Sequence, residues 1–307
     1  MVNRVQYHHV IVEGTWYEVG WLQGEFLRQM GRTLISYEPP EPERTAREIR
    51  QLYDQYCPGL TDEIQGLAAS LALPFEKALF CATLSSPVRG CTHAVALPAI
   101  TADHHLLMAR NYDMALADSG LRLCTTRISG HVSHLGFSDM FLGRLEGINQ
   151  AGLCVTLSIA WDSIPEDWQE PGGLHYAVAL RAALEQCRNL DEALDLWQRM
   201  PIGNNGTFLA ADPSGSAACI EIAGCKRAVK RIGADTDEQY LVSTNHFTLL
   251  TFPDPEKHVP IKPTVKCAPA AAHQSQTSQR GLAKERLHVY GSKHGLESIA
   301  GQFRLRE

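Results

Sequence analysis

The hydrophobic periodicity of the chain changes at the bond between Gly90 and Cys91, and this change limits the folds open to it. Before that bond, apolar residues recur every three or four positions, as they do on one face of a helix. The helices predicted in this way cover 18–34, 44–56, a segment capped by Thr61 and a short segment opened by Pro74. The first ninety residues are therefore expected to be mostly helical.

Strand-like segments dominate the chain from Cys91 onward. Two predicted helices, over 174–186 and 190–199, interrupt them. The predicted strands are 92–97, 105–110, 122–128, 152–159, 207–211, 217–222, 228–232 and 240–244. An extended loop is predicted over 252–278, with a last helix from about 282. This order favours an α+β layered architecture over a doubly wound α/β fold.

Charge and hydropathy exclude two large classes of partner. The 28 Lys and Arg residues against 34 Asp and Glu give a net charge of −6. Because nucleic-acid binding draws on an excess of basic side chains, we expect no nucleic-acid partner. No apolar run approaches the roughly 20 residues of a membrane-spanning helix, so we expect no membrane partner.

The nine cysteines are an odd number and include no C-x-x-C pair. This pattern is typical of reduced thiols rather than of a disulfide framework or a structural zinc site. The N-terminal segment holds no apolar stretch long enough for a signal peptide, and the glycine-rich segment 203–206 lacks the Lys-Ser/Thr of a phosphate-binding loop. We expect a cytoplasmic protein with no metal and no cofactor.

A lone cysteine beside apolar residues is more often an inert buried thiol than a nucleophile. Cys91 differs because it lies in Gly90-Cys91-Thr92, where helical periodicity gives way to strands. A chain that cleaves itself before Cys91 would give this residue both a thiol nucleophile and a free α-amine. The reference pKa values are about 8.5 for the thiol and about 7.7–8.0 for the amine, so the amine can take the thiol proton near neutral pH.

Six short motifs, in order over roughly 17–290, together resemble one family. Gly90-Cys91-Thr92 and Ala109-Arg110-Asn111-Tyr112-Asp113 resemble the N-terminal-nucleophile (Ntn) hydrolases of the penicillin acyltransferase type, which are related to choloylglycine hydrolases. The other four motifs are Tyr17-Glu18-Val19-Gly20 to Gly24, the segment LTDEIQGLAASLALPFEKAL, Gly147-Ile148-Asn149-Gln150-Ala151-Gly152-Leu153, and Ala211-Asp212-Pro213-Ser214-Gly215 to Glu221 with Ser243-Thr244-Asn245-His246-Phe247.

The resemblance implies a four-layer αββα sandwich and autocatalytic cleavage before Cys91. It divides the chain into a helical leader, 1–90, that stays bound as a separate subunit, and a catalytic domain, 91–307. The implied reaction is hydrolysis or transfer of an amide-linked acyl group. The implied partner is a small-molecule N-acyl amide, with an acyl-CoA as a candidate donor, and formation of a homo-oligomer is left open.

The resemblance also assigns roles residue by residue. Cys91 matches the nucleophile, and Arg110 and Asp113 match an R-x-x-D pair. A guanidinium near the sulfur favours the thiolate, and a carboxylate can hold the α-amine in place. The alternative is that Arg110 and Asp113 form a local ion pair on a turn, which contributes little at a surface.

Asn245 matches an asparagine whose amide can donate to an oxyanion, although an asparagine that ends a strand in a turn is the alternative. For Asn149 we favour the turn. A further family asparagine has no counterpart in 156–159, where a backbone N–H or the Ser158 hydroxyl is left to replace it. The late family arginine matches Arg280, with Arg286 as the competitor.

Two other functions remain open. One is a papain-like protease that uses Cys91 and His246, although its cysteine should open a helix and the Cys91 segment predicts a strand. The other is a catalytically inactive binding protein that retains the fold.

Overall fold

The structure is a computed structural model that describes residues 8–31, 39–81, 90–113, 122–138, 142–160, 162–170 and 172–252. These residues form a mixed α/β arrangement of helices and two sheets. The late loop and helix predicted after 252 lie outside the described residues. No helix among the described residues has the length and apolar character needed to cross a membrane.

The elements follow the chain in a simple order. The helices are α1 (Trp16–Gln29), α2 (Pro42–Tyr56), α3 (Leu60–Ser70), α4 (Phe75–Cys81), α5 (Tyr176–Gln186) and α6 (Leu190–Arg199). The strands are β1 (His8–Gly14), β2 (Gly90–Ala96), β3 (Leu107–Asp113), β4 (Arg122–Ile128), β5 (His134–Ser138), β6 (Glu146–Asn149), β7 (Cys154–Ile159), β8 (Gly206–Ala211), β9 (Ala217–Ala223), β10 (Lys226–Ile232) and β11 (Tyr240–Ser243).

Eight strands form a large sheet in the order β1-β4-β5-β6-β7-β8-β9-β10, and β11-β2-β3 form a small sheet. β1 runs parallel to β4, whereas the other neighbouring strands are antiparallel. Among the described strands, β1 is therefore an edge strand of a sheet that is otherwise built after Cys91. The segments before and after Cys91 share this sheet.

The small sheet packs on one face of the large sheet. Val95 and Met108 of the small sheet share an apolar cluster with Cys154 of β7 and Leu209 of β8. The alternate residues of these strands, such as Leu157, point to the other face and pack with α5 and α6. Burying an apolar side chain of this kind contributes about 1.5–3 kcal/mol. A short polar side chain between the two sheets does not make this contribution. Its presence there therefore indicates a role other than apolar packing.

Glycines let α1 and α3 cross in close contact. A Cβ atom at Gly20 would lie 1.8 Å from the Glu63 carbonyl oxygen, and one at Gly66 would lie 1.9 Å from the Tyr17 carbonyl oxygen. Only glycine permits this approach of the two backbones. The glycines of the two N-terminal motifs therefore serve helix packing.

A buried ion pair joins the segment before Cys91 to the segment after it. The carboxylate of Glu63, on α3, accepts from both terminal nitrogens of Arg181, on α5, at 2.8 and 2.6 Å. The Arg181 Nε atom also donates to Glu185 at 2.7 Å. Both side chains of the pair are at most 1% exposed. Separating the two segments would break both hydrogen bonds of this pair and leave Arg181 with Glu185 as its carboxylate partner.

The helices predicted before Cys91 are confirmed, but the sequence analysis missed the strand β1. Val10 and Val12 alternate along this strand, and both pack against Ile128 of β4. The prediction that Thr61 caps a helix is wrong. Helix α3 begins after Gly59, whose φ is +90°. Thr61 lies inside the helix, and its hydroxyl donates to Asp54 at 3.0 Å.

Strands β5 and β6 were not predicted from the sequence. Each contains a glycine, Gly136 or Gly147, which lowers strand propensity and interrupts the apolar alternation. The other predicted helices and strands before 252 are confirmed, with ends shifted by a few residues. Two of them, β4 and α6, have the predicted bounds.

Candidate active site

Cys91 is the second residue of β2, the central strand of the small sheet. It pairs with Tyr112 of β3, and Gly90 pairs with Asp113 of the same strand. Its side chain is 4% exposed. Strand alternation places it on the same face as Val95, which packs against the large sheet. The strand prediction for Cys91 is confirmed, whereas the papain-like alternative requires a helix to begin there.

Arg110 lies on β3, and its direct partner on β2 is His93. Cys91, two residues before His93, is therefore the diagonal neighbour of Arg110. The Nη2 atom of Arg110 donates to the Cys91 Sγ atom at 3.4 Å. Its Nη1 atom forms an ion pair with Glu146, the first residue of β6. The alternative of a surface ion pair on a turn is wrong for Arg110, because this guanidinium is buried on a strand beside the thiol.

Glu146 is a site residue that the sequence analysis missed. It lies 36 positions after Arg110 along the chain, so no local spacing connects the two. The available signal was an acidic residue directly before the Gly147-Ile148-Asn149 motif, at a position that folds as a buried strand. Buried carboxylates are rare unless they are paired.

Asn245 bridges Cys91 to the large sheet. Its Oδ1 atom accepts from the backbone N–H of Cys91 at 2.6 Å. Its Nδ2 atom donates to the carbonyl oxygen of Ile159, the last residue of β7, at 2.6 Å. The side chain is 0% exposed. The two sheets are therefore linked at the residue whose amide nitrogen would become an α-amine upon cleavage.

Two buried carboxylates hold the segment that follows Asn245. Asp162 accepts from the Phe247 N–H at 2.6 Å. Glu221, on β9, accepts from the N–H groups of Thr248 at 2.5 Å and of Leu250 at 2.9 Å. Charge-assisted hydrogen bonds of this kind are about twice as strong as neutral ones. They restrict the backbone that carries Asn245.

His93 takes a structural place beside the site. Its ring nitrogens lie 2.8 Å from the Thr156 hydroxyl and 3.2 Å from the Thr207 hydroxyl. Burial, with a smaller contribution from the Arg110 charge, holds the pKa of His93 well below its usual range. A neutral ring held between two hydroxyls links β2 to β7 and β8.

The environment of Cys91 favours the protonated thiol in the uncleaved chain. Burial is the largest cause, and it raises the pKa of Cys91 above its usual range. The Arg110 charge and the Asn245 amide act in the opposite direction, and Glu146 adds to the rise. The thiol therefore needs a base before it can attack a carbonyl near neutral pH.

We predict that Arg110→Ala and Glu146→Gln shift the reactivity of Cys91 in opposite directions. Loss of the Arg110 charge should raise the pKa of the Cys91 thiol and slow its alkylation by iodoacetamide several-fold near neutral pH. Glu146→Gln removes the charge that raises this pKa, so alkylation should be faster. The rate measured against pH gives both results, and an unchanged profile in both variants would contradict the electrostatic role.

The other predicted site residues differ in outcome. The backbone of Asp113 pairs with Gly90, but the Asp113 side chain, Arg280 and Arg286 lie outside the described residues.

The turn prediction for Asn149 is confirmed. Its Nδ2 atom donates to the carbonyls of Leu184 and Cys187, and its Oδ1 atom accepts from Ala151 and Leu153 at 3.1 Å.

The site thus combines a buried thiol, a guanidinium and a side-chain amide around one backbone N–H. These are the groups needed for nucleophilic attack on a carbonyl, with a donor for the resulting negative charge. The described residues contain no group of three or more His, Cys, Asp or Glu side chains arranged to hold a metal ion.

The sequence profile of the acyl-coenzyme A:6-aminopenicillanic acid acyl-transferase family matches residues 100–294, more than half of the chain. The match includes Arg110, Asp113, Asn245 and Arg280, and it begins after Cys91. No curated protein sequence matches the chain significantly.

Solved structures of amidases and hydrolases show similarity at low identity. The Caenorhabditis elegans ortholog of N-acylethanolamine-hydrolyzing acid amidase is 20% identical over 52% of this chain and 71% of that one, with a TM-score of 0.41. Penicillin V acylase from Agrobacterium tumefaciens is 15% identical over 52% and 46%, with a TM-score of 0.30. A mutant of conjugated bile acid hydrolase from Clostridium perfringens is 15% identical over 50% and 53%, with a TM-score of 0.33. The chain spans about half the length of the last two proteins.

Proposed function

Because the chain belongs to the acyl-coenzyme A:6-aminopenicillanic acid acyl-transferase family, a family of linear-amide hydrolases and acyltransferases related to the Ntn hydrolases, we propose that it is a self-processing cysteine enzyme of this kind. The observation that carries the proposal is the position of the Cys91 backbone nitrogen. This atom donates to Asn245 while the thiol of the same residue accepts from Arg110. One residue thus presents a nucleophile and a latent amine inside a single polar site.

The first proposed reaction is cleavage of the Gly90–Cys91 peptide bond. The Cys91 thiol gives up its proton as its sulfur adds to the Gly90 carbonyl carbon, and the tetrahedral adduct then expels the Cys91 nitrogen, which takes up that proton. Water then opens the resulting thioester, so that Gly90 gains a carboxylate and the thiol is restored. The Cys91 nitrogen becomes an α-amine that Asn245 already contacts in the uncleaved chain.

The second proposed reaction is turnover of an N-acyl amide. The α-amine accepts the thiol proton, the sulfur attacks the substrate carbonyl, and the protonated amine gives its proton to the leaving nitrogen. The acyl group is then bound to Cys91 as a thioester. Water or an acceptor amine attacks this thioester, and the thiol leaves. An acyl-CoA can load the same thioester by exchanging its own thiol for that of Cys91.

We propose substrates in which an acyl group is joined to a small amine. Three solved relatives are named for an N-acylethanolamine, penicillin V and conjugated bile acids. All of these relatives are named for acyl amides, which is the bond class that a thiol nucleophile with an adjacent donor can cleave. A panel of N-acyl amino acids, conjugated bile salts and penicillins covers this class, with acyl-CoA as an alternative donor.

We also propose a four-layer αββα sandwich in which the leader, 1–90, remains bound to 91–307 after cleavage. The strand β1 within the large sheet and the buried Glu63–Arg181 pair support this proposal. Cleavage of a single peptide bond removes neither contact. Seven cysteines whose side chains the structure describes have free thiols, which fit the reducing cytoplasm that we propose as its location.

We predict that the purified protein is cleaved between Gly90 and Cys91. A mass of 33.9 kDa divided in proportion to 90 and 217 residues gives fragments of about 10 and 24 kDa. Intact mass spectrometry under denaturing conditions should find both fragments, and N-terminal sequencing of the larger one should begin with Cys-Thr-His. An active preparation that contains only the full-length mass would disprove self-processing.

A further inference from the structure

Ser158 is a buried polar residue whose hydroxyl lacks a hydrogen-bond partner among the described residues. It lies on β7 and is 0% exposed. The hydroxyls around it are bonded, since Thr156 contacts His93 and Ser243 donates to Thr207 at 2.9 Å. A buried hydroxyl without a partner is costly and uncommon in native proteins. Its presence inside an otherwise bonded cluster calls for a partner that is bound only during the reaction.

The strand register places Ser158 on the face of β7 that meets the small sheet, which carries Cys91. Cys154, Thr156 and Ser158 alternate along β7, and the first two contact the small sheet through Met108 and His93. Ser158 therefore faces the small sheet as well, one step further along β7. The next residue, Ile159, accepts from Asn245, which also holds the Cys91 nitrogen. The short bridge through Asn245 thus brings this end of β7 to Cys91.

We infer that the Ser158 hydroxyl donates a hydrogen bond to the oxyanion that forms when the Cys91 sulfur adds to a carbonyl. This inference rests on the proposed function. In that step the carbon–sulfur bond forms, and the π electrons of the carbonyl move onto its oxygen. That oxygen accepts the hydrogen bond until the adduct expels its nitrogen. The oxyanion is the transient partner that the Ser158 hydroxyl lacks among the described residues.

Ser158 complements Asn245 in this role. The Asn245 amide has two hydrogens, and the Ile159 carbonyl accepts one of them. Its second hydrogen and the Ser158 hydroxyl can therefore approach one oxygen from two directions. Two donors around one oxygen are the usual arrangement for stabilising a tetrahedral adduct.

The test compares acylation with alkylation of Cys91 in Ser158→Ala. Acylation by an N-acyl amide or an acyl thioester passes through a tetrahedral oxyanion, whereas alkylation by iodoacetamide displaces iodide at a saturated carbon and forms none. We expect acylation to slow by about 10²-fold, in line with the loss of one oxyanion donor, and alkylation to keep the wild-type rate. Rates are expressed per processed chain, counted by intact mass, and self-cleavage should slow in the same way.

Thermal unfolding supplies the matched control. Because the Ser158 hydroxyl has no hydrogen-bond partner among the described residues, Ser158→Ala should keep or raise the melting temperature. Thr156→Val removes a hydroxyl from the same face of the same strand, but that hydroxyl is bonded to His93, so its melting temperature should fall. A catalytic hydroxyl and a structural one are thus distinguished by measurements that do not depend on turnover.

Three results would overturn the inference: acylation at the wild-type rate, an equal loss of alkylation, or a fall in melting temperature as large as that of Thr156→Val. Failure of the proposed function gives a different result, because wild-type protein would then form no acyl adduct at Cys91. The wild-type adduct, identified by peptide mapping, is therefore measured first.

Discussion

Replacing Cys91 with alanine is expected to leave the protein uncleaved and inactive. The variant lacks the sulfur that would attack the Gly90 carbonyl, and therefore would never free the α-amine that we propose as the base. Turnover should fall by on the order of 10⁶-fold, as when the nucleophile of a covalent enzyme is removed. Intact mass spectrometry should show only the full-length 33.9 kDa chain, and turnover of the acyl amide panel should be at background.

Two other buried cysteines provide the control for this experiment. Cys124→Ala and Cys187→Ala each remove a buried thiol outside the group formed by Cys91, Arg110 and Asn245. Burial raises the pKa of Cys187 to about 12, so this thiol is unreactive near neutral pH. Both variants should be processed and should turn over substrate. Activity retained in Cys91→Ala, or lost only in one of the controls, would assign the chemistry to another residue.

The second large effect is expected at Asn245. Asn245→Ala should lower kcat by about 10²–10³-fold with little change in KM, because a donor to an oxyanion acts only in the transition state. The variant also loses the oxygen that holds the Cys91 nitrogen at 2.6 Å. Steady-state kinetics on processed enzyme, counted by active-site labelling of Cys91, give both constants.

Asn245→Asp separates the two contacts of this side chain. Aspartate keeps an oxygen for the Cys91 nitrogen, but it removes both amide N–H groups, including the one that donates to Ile159, and its charge would repel the oxyanion. We therefore expect a loss at least as large as that of Asn245→Ala. An active Asn245→Asp would mean that Asn245 acts by holding the amine alone. A rise in KM with kcat intact would mean that it binds substrate in the ground state.

The sequence motifs predicted the residues of the site better than their contacts. Cys91, Arg110 and Asn245 were each found from a short motif, and the structure brings the three together. Their geometry had to come from the fold, because 154 positions separate Cys91 from Asn245 along the chain. Glu146 was missed for the same reason, since its partner Arg110 lies on a different sheet.

Local periodicity determined most helices and strands of this protein by itself. Helix α6 and strand β4 have their predicted bounds because a regular apolar repeat is a property of adjacent residues. The N-terminal strand β1 was decided by tertiary structure, since its pairing with β4 joins residues more than a hundred positions apart. The glycine at position 20 was visible as a motif, but only the crossing with α3 shows that it permits close backbone contact.

The chemistry of the site divides in the same way. The sequence by itself determined which side chains can attack, carry charge or donate, and it placed Cys91 at the change from helices to strands. Only the tertiary structure decided that burial raises the pKa of the Cys91 thiol, that Arg110 opposes this rise, and that the Ser158 hydroxyl is left without a partner among the described residues. Solvent exclusion and hydrogen-bond geometry arise when two sheets close on each other, and neither is a property of any single segment.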